Sequence, residues 1–157
     1  MKLGAFLIVL IPAAAGFADD RCPAPAAVAE HFFKQGRNFT VDGTGLDLLT
    51  PEFRAVVKAE LRCMKKEGEC KLDYDPWSGA QDGEIGKQVS FETEDQEQSL
   101  GTAVVAMKGT LVLDAAHQDP FTAHLVLHRT QTQCWKVNDL ITPIGESLLN
   151  VLSRHGG

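Results

Sequence analysis

The spacing of apolar residues changes once along this chain, and that change limits the fold more than any other feature. Up to Met64 the apolar residues recur at helical intervals. Val28, Ala29, Phe32 and Phe33 form one stripe, and Phe53, Val56, Val57, Leu61 and Met64 form a second. Further along, strand-like alternation takes over. It is clearest over Phe121–Thr130, where Ala123, Leu125 and Leu127 face one way and His124, Val126 and His128 the other. Helices first, then antiparallel strands, then a short closing helix make an α+β domain. The expected arrangement has N-terminal helices packed on one face of a curved antiparallel sheet, leaving the other face for a pocket or an interaction surface.

Local chemistry sets the expected boundaries. Pro25 can open the first helix and Gly36 stop it. Thr50 is placed to cap the second, with Pro51 and Glu52 in its first turn, Lys65 and Lys66 near its negative end, and Gly68 just beyond. Residues Leu72 to Gly86 are polar and rich in turn formers. Strands are expected over Lys87–Glu92, Thr102–Leu113 (with a bulge at Gly109), Phe121–Thr130 and Gln133–Leu140. Glu94–Ser99 and Ala115–Pro120 read as the loops between them, and Thr142-Pro143 as the start of a closing helix that carries Ile144, Leu148, Val151 and Leu152.

The compartment can be inferred from the first residues. Lys2 precedes an apolar run from Leu3 to Ala15, Gly16-Phe17-Ala18 places small residues where a signal peptidase reads, and charge returns with Asp19, Asp20 and Arg21. Residues 1–18 are therefore expected to be a signal peptide cleaved near Ala18, and residues 19–157 a single domain in the periplasm or outside the cell. The run is shorter than the about 20 apolar residues a spanning helix needs, so no membrane span is expected in the mature chain. A formal charge of −6 disfavours nucleic acid, which rewards clustered Lys and Arg.

Cys22, Cys63, Cys70 and Cys134 all lie beyond the leader. An even number in an exported chain reads as two disulfides, with three pairings open. Cys63 and Cys70 sit at a helix end and in the loop after it, which favours joining them and leaves Cys22 for Cys134. The spacing lacks the close cysteine pair that zinc sites favour, and no metal or other cofactor is expected.

Asp73, Asp75 and Asp82 form the most chemistry-like cluster. Read as a calcium loop, Trp77 stands where an oxygen ligand belongs and Ser78 where the sharp turn needs glycine. The simpler use is structural: aspartates bond nearby backbone N–H groups, and Asp75-Pro76 starts a turn. Tyr74 and Trp77 then anchor the loop by packing, or present it for recognition together with Gln81. His124 and His128 lie ~13 Å apart along a strand, too far to share a metal. His124 alone could still act as a base beside an acid. No nucleophile elbow or phosphate loop is present.

The segment Leu72-Asp73-Tyr74-Asp75-Pro76-Trp77, with Ala80-Gln81-Asp82 after it, resembles the signature of a bacterial family of exported proteins known as domain of unknown function 3828. Leu49-Thr50-Pro51-Glu52-Phe53-Arg54 is similar to that family's helix start, Cys134-Trp135-Lys136-Val137-Asn138-Asp139-Leu140-Ile141 to its last strand, and Ser147-Leu148 to Leu152 to its closing helix. Cys22, Cys63, Cys70 and Gly79 depart from the pattern. The resemblance implies a cystatin-like cone of the nuclear transport factor 2-like kind. It implies no activity, because one such fold serves enzymes and binding modules alike.

The expected role is a non-catalytic binding module, of inhibitor or immunity type, for a protein or small ligand in the cell envelope. Its expected binding residues are Asp73, Tyr74, Asp75, Trp77, Gln81, Asp82 and His124. The alternatives are a small pocket enzyme of the isomerase or hydratase kind and a structural envelope protein. A cavity lined by two of Asp73, Tyr74, Asp82 and His124 favours the enzyme. Exposed Tyr74 and Trp77 favour the binder, and burial of both favours the structural role.

Overall fold

A computed structural model describes residues 22–97, 100–129 and 133–154. The signal peptide and cleavage site expected from the sequence lie outside the described residues. The fold is α+β: three helices and a curled antiparallel sheet that forms a half-barrel. Helix α1 spans Pro25–Gln35, a short 3-10 turn covers Leu46–Leu48, and α2 spans Pro51–Glu67. Next come strands β1 (Glu84–Ile85), β2 (Ser90–Glu97), β3 (Thr102–Val112), β4 (Gln118–His128) and β5 (Lys136–Ile141), and α3 (Leu148–Ser153) is last. Among the described residues, no helix is long and apolar enough to cross a membrane.

Helix α2 is built as its end chemistry dictates. The Thr50 hydroxyl accepts from the N–H of Phe53 at the start. Gly68, with φ +82°, ends the helix by donating to the Met64 carbonyl. The same Thr50 is stitched to the sheet: its N–H donates to the Val137 carbonyl at 2.9 Å, and its hydroxyl donates to Asn138 Oδ1 at 2.9 Å. Both disulfides join the cysteines that sequence spacing favours, Cys22 to Cys134 and Cys63 to Cys70.

The sheet is a meander, with β3, β4 and β5 side by side in chain order and β1 and β2 sharing the outer edge of β3. The inward row of β4 is Ala123, Leu125 and Leu127, all fully buried, and Val105 and Met107 of β3 lie opposite. Phe32, Phe39, Phe53, Trp77 and Leu140 belong to the same core. Several expected boundaries move. Strand β2 continues through Glu94–Glu97, which the sequence reads as loop, because an exposed edge strand needs no apolar alternation. Strand β4 begins at Gln118, before Phe121. The register of β3 against β4 runs unbroken through Gly109, so no bulge forms there; the shifts fall at Thr93/Asp95 of β2 and opposite Val126/Leu127 of β4. Gly109 instead admits the Phe121 ring, whose Cζ would lie 2.9 Å from an added Cβ. Residues Pro143–Glu146 form a turn with Gly145 at φ +83°, and α3 starts only after Ser147, whose hydroxyl accepts from the Asn150 N–H. Ile144 is accordingly exposed and not part of the helix.

Candidate functional site

The segment after α2 is closed on itself before it offers anything to a ligand. Asp75 Oδ1 accepts the Trp77 N–H at 2.9 Å, the Asp75 carbonyl accepts the Gly79 N–H at 2.8 Å, and the Asp75 N–H donates to the Ala80 carbonyl at 2.9 Å. Gly79 holds φ +70°, which a side chain would oppose. This is the aspartate-led turn that the Asp-Pro pair leads one to expect.

Trp77 is fully buried beneath that turn. Its ring sits 5.4 Å from Phe32, 5.0 Å from Phe33 and 5.7 Å from Phe39, centroid to centroid. Its indole N–H donates to the Arg37 carbonyl at 3.0 Å. The Arg37 guanidinium, lying 5.4 Å over the Phe33 ring, returns to Asp75, with Nη2 3.1 Å from Oδ2. Arg37, Asp75 and Trp77 thus form a three-way lock between the loop after α1 and the 73–82 segment. Trp77 serves that lock and offers no surface for recognition.

Against the lock lies an open cleft of about 410 Å³. Arg37, Asn38 and Val41 line it from the loop after α1, and Asp73, Tyr74, Asp75 and Gln81 from the facing segment. Four of the seven residues singled out from the sequence therefore share one cavity. Gln81 donates to Asp73 Oδ2 at 3.1 Å, and Val41 stands 72% exposed at the rim. The half-buried Tyr74 hydroxyl donates to Glu146 Oε2 at 2.7 Å. Burial, then that hydrogen bond and the Glu146 charge, hold the phenol protonated well above its ordinary 10.0.

Of the remaining three, Trp77 lies in the core beneath the turn, and the other two lie elsewhere. Asp82 is exposed and does not line the cleft. His124 points from the outward row of β4, and its Nε2 is 3.2 Å from Glu94 Oε2 of β2. Among the described residues, no group of three His, Cys, Asp or Glu side chains could hold a metal.

Two supports of the cleft lie outside its lining. Glu60 lies on the apolar face of α2, with Val56, Val57 and Met64 one turn away, and is only 3% exposed; its Oε1 accepts the N–H groups of Lys71 at 2.7 Å and Leu72 at 3.0 Å. The Lys71 ammonium then caps the end of α3 by donating to the Leu152 carbonyl at 2.7 Å and to the Arg154 carbonyl. Leu72 and Asp73 are thereby fixed as cleft wall. Only the i, i+7 and i+3 spacing of Glu60 from Phe53 and Val57 hints that it turns inward.

Comparisons of the chain with protein-family models, with curated proteins and with solved structures give no match.

Proposed function

We propose that this protein is a non-catalytic binding module of the cell envelope that holds a protein partner, in the manner of an inhibitor or immunity protein, at the cleft beside Arg37 and Tyr74. The observation that carries the reading is the convergence of Asp73, Tyr74, Asp75 and Gln81 on one open cavity whose wall is locked by Arg37 and Trp77. A preformed polar wall with an exposed apolar rim suits recognition, since little ordering is left for the partner to impose. Two disulfides support an oxidising compartment, and with it the signal peptide and periplasmic or extracellular location. The curled antiparallel sheet supports the cystatin-like cone that the resemblance implies.

A pocket enzyme stands second, and one observation favours it: Asp73 and Tyr74 line the same cleft. That meets the sequence criterion of two titratable groups in one cavity. However, the Tyr74 proton is committed to Glu146 and held more tightly than usual, and His124 stands on another face of the sheet. The burial of Trp77 and partial exposure of Tyr74 fall between the marks of a binder and those of a structural protein.

The test is capture from envelope extract by the oxidised domain, run beside Asp73→Arg and Val41→Asp variants with unchanged circular dichroism. A protein retained by the parent and lost from both variants supports the proposal. Retention of the same proteins by all three, or of none, refutes it.

A further inference from the structure

The polar cleft is not the only opening beside Arg37. On the other side of that side chain, a groove of about 340 Å³ runs between α1 and the sheet edge formed by β1 and β2. Its floor is apolar: Phe33, Ile85, Val89 and Phe91 are each part-buried, and the Phe33 and Phe91 rings lie 5.7 Å apart. The ladder opens at this point. The Gly86 N–H bonds to the Thr110 carbonyl, pairing resumes at Ser90 opposite Lys108, and Lys87 and Val89 of the segment between them line the groove.

The rim carries Lys34, Arg37 and Lys87 against Glu30 alone, a local excess of positive charge in a chain of formal charge −6. Lys34 is taken by Glu30 at 2.7 Å and Arg37 by Asp75. Lys87 is exposed and makes no ion pair among the described residues.

We propose that this groove is a second binding site, for a small amphipathic acid with an apolar, preferably aromatic, body and one anionic head. The volume is that of a small-ligand pocket, and an apolar floor with few polar groups at its mouth is the usual make-up of such sites. The body rests on Phe33, Val89 and Phe91, where part-buried rings offer stacking surface. The head reaches Lys87, the one rim cation without an internal partner among the described residues. The site does not depend on the function proposed for the polar cleft.

Two probes with the same aromatic body separate the contributions: anilinonaphthalene sulfonate, which is anionic, and phenylnaphthylamine, which is uncharged. Fluorescence titration of the oxidised protein is expected to show saturable one-to-one binding of the sulfonate. Lys87→Gln should weaken the sulfonate about five- to tenfold, the size of one charge-assisted contact near the surface, and leave phenylnaphthylamine unchanged. Val89→Glu should weaken both probes. Asp73→Arg should change neither, which distinguishes this site from the polar cleft. Absence of saturable sulfonate binding, or equal affinity in the parent, Lys87→Gln and Val89→Glu proteins, overturns the proposal.

Discussion

Replacing Glu60 tests how the cleft wall is held. The carboxylate is buried and accepts two backbone N–H groups through one oxygen, those of Lys71 and Leu72. A hydrogen bond to a charged acceptor contributes roughly 1.5–3 kcal/mol, a neutral one roughly 0.5–1.5. Glu60→Ala removes both acceptor contacts and strands two donors, while alanine returns a few tenths of a kcal/mol in helix preference. Because the two donors share one oxygen, the contributions do not simply add, and the expected loss is about 3–4 kcal/mol. Glu60→Gln keeps an oxygen in place and loses only the charge, so about 1–2 kcal/mol is expected. At roughly 3–5 °C per kcal/mol for a domain of this size, Tm falls by about 10–20 °C in the alanine variant and about 3–10 °C in the glutamine variant. Urea unfolding of the oxidised protein, monitored by circular dichroism, measures both. The order of the two variants carries the reasoning: equal losses, or a loss below about 1 kcal/mol for Glu60→Ala, would show that the carboxylate does not organise the loop.

Trp77→Phe should cost about 2–3 kcal/mol in urea unfolding, since it leaves the Arg37 carbonyl without its donor and opens space among Phe32, Phe33 and Phe39; a loss under about 0.5 kcal/mol would show that the lock contributes nothing to stability. Tyr74 is the one tyrosine in the chain, so near-ultraviolet absorbance reads its titration alone. Its folded pKa is raised, so its contribution to stability is full below the ordinary 10.0 and is lost as pH rises beyond it; Tyr74→Phe should flatten that alkaline limb, and a normal titration midpoint in the folded protein would contradict both the burial of the phenol and its bond to Glu146. Gly109→Ala should cost about 1–3 kcal/mol through the clash with Phe121, and adding Phe121→Leu should recover most of it; equal stability of the single and double variants would disprove the close approach. For the cross-links, spanning separations of 112 and 7 residues, chain entropy predicts losses of about 5 kcal/mol for Cys22→Ser/Cys134→Ser and about 2 for Cys63→Ser/Cys70→Ser, with the reverse order counting against the assignment.

Features that depend on neighbours in the chain were legible in the sequence. Thr50, Pro51 and Gly68 bound α2 through groups within one turn of each other, and β4 alternates because one of its faces is buried. The disulfide pairing rests on the closeness of Cys63 to Cys70. Features that escaped depend on distant partners. Strand β2 is specified by pairing with β3, and its exposed run of acids looks like loop until that partner is in place. Arg37 gives no sign of its tie to Asp75, 38 residues away, nor Glu60 of its hold on Lys71 and Leu72. Tyr74, Asp73, Asp75 and Gln81 could be grouped because they share one short segment. Trp77 and His124 belong to other surroundings, one in the core beneath the turn and the other on the outward row of the sheet.

The seam where Leu49 and Thr50 meet Val137 and Asn138 has a consequence for how the chain assembles. Strands β2 to β5 join successive neighbours and can zip up hairpin by hairpin, whereas this seam must bring together segments 88 residues apart. The Cys22–Cys134 bond enters beside the same strand, just ahead of β5. Once oxidised, it tethers α1 and α2 near their docking place, so a long diffusive search becomes a short one. Refolding with the bond intact should therefore outpace refolding of the reduced chain, with the gain concentrated in the arrival of the helices and not in the growth of the sheet.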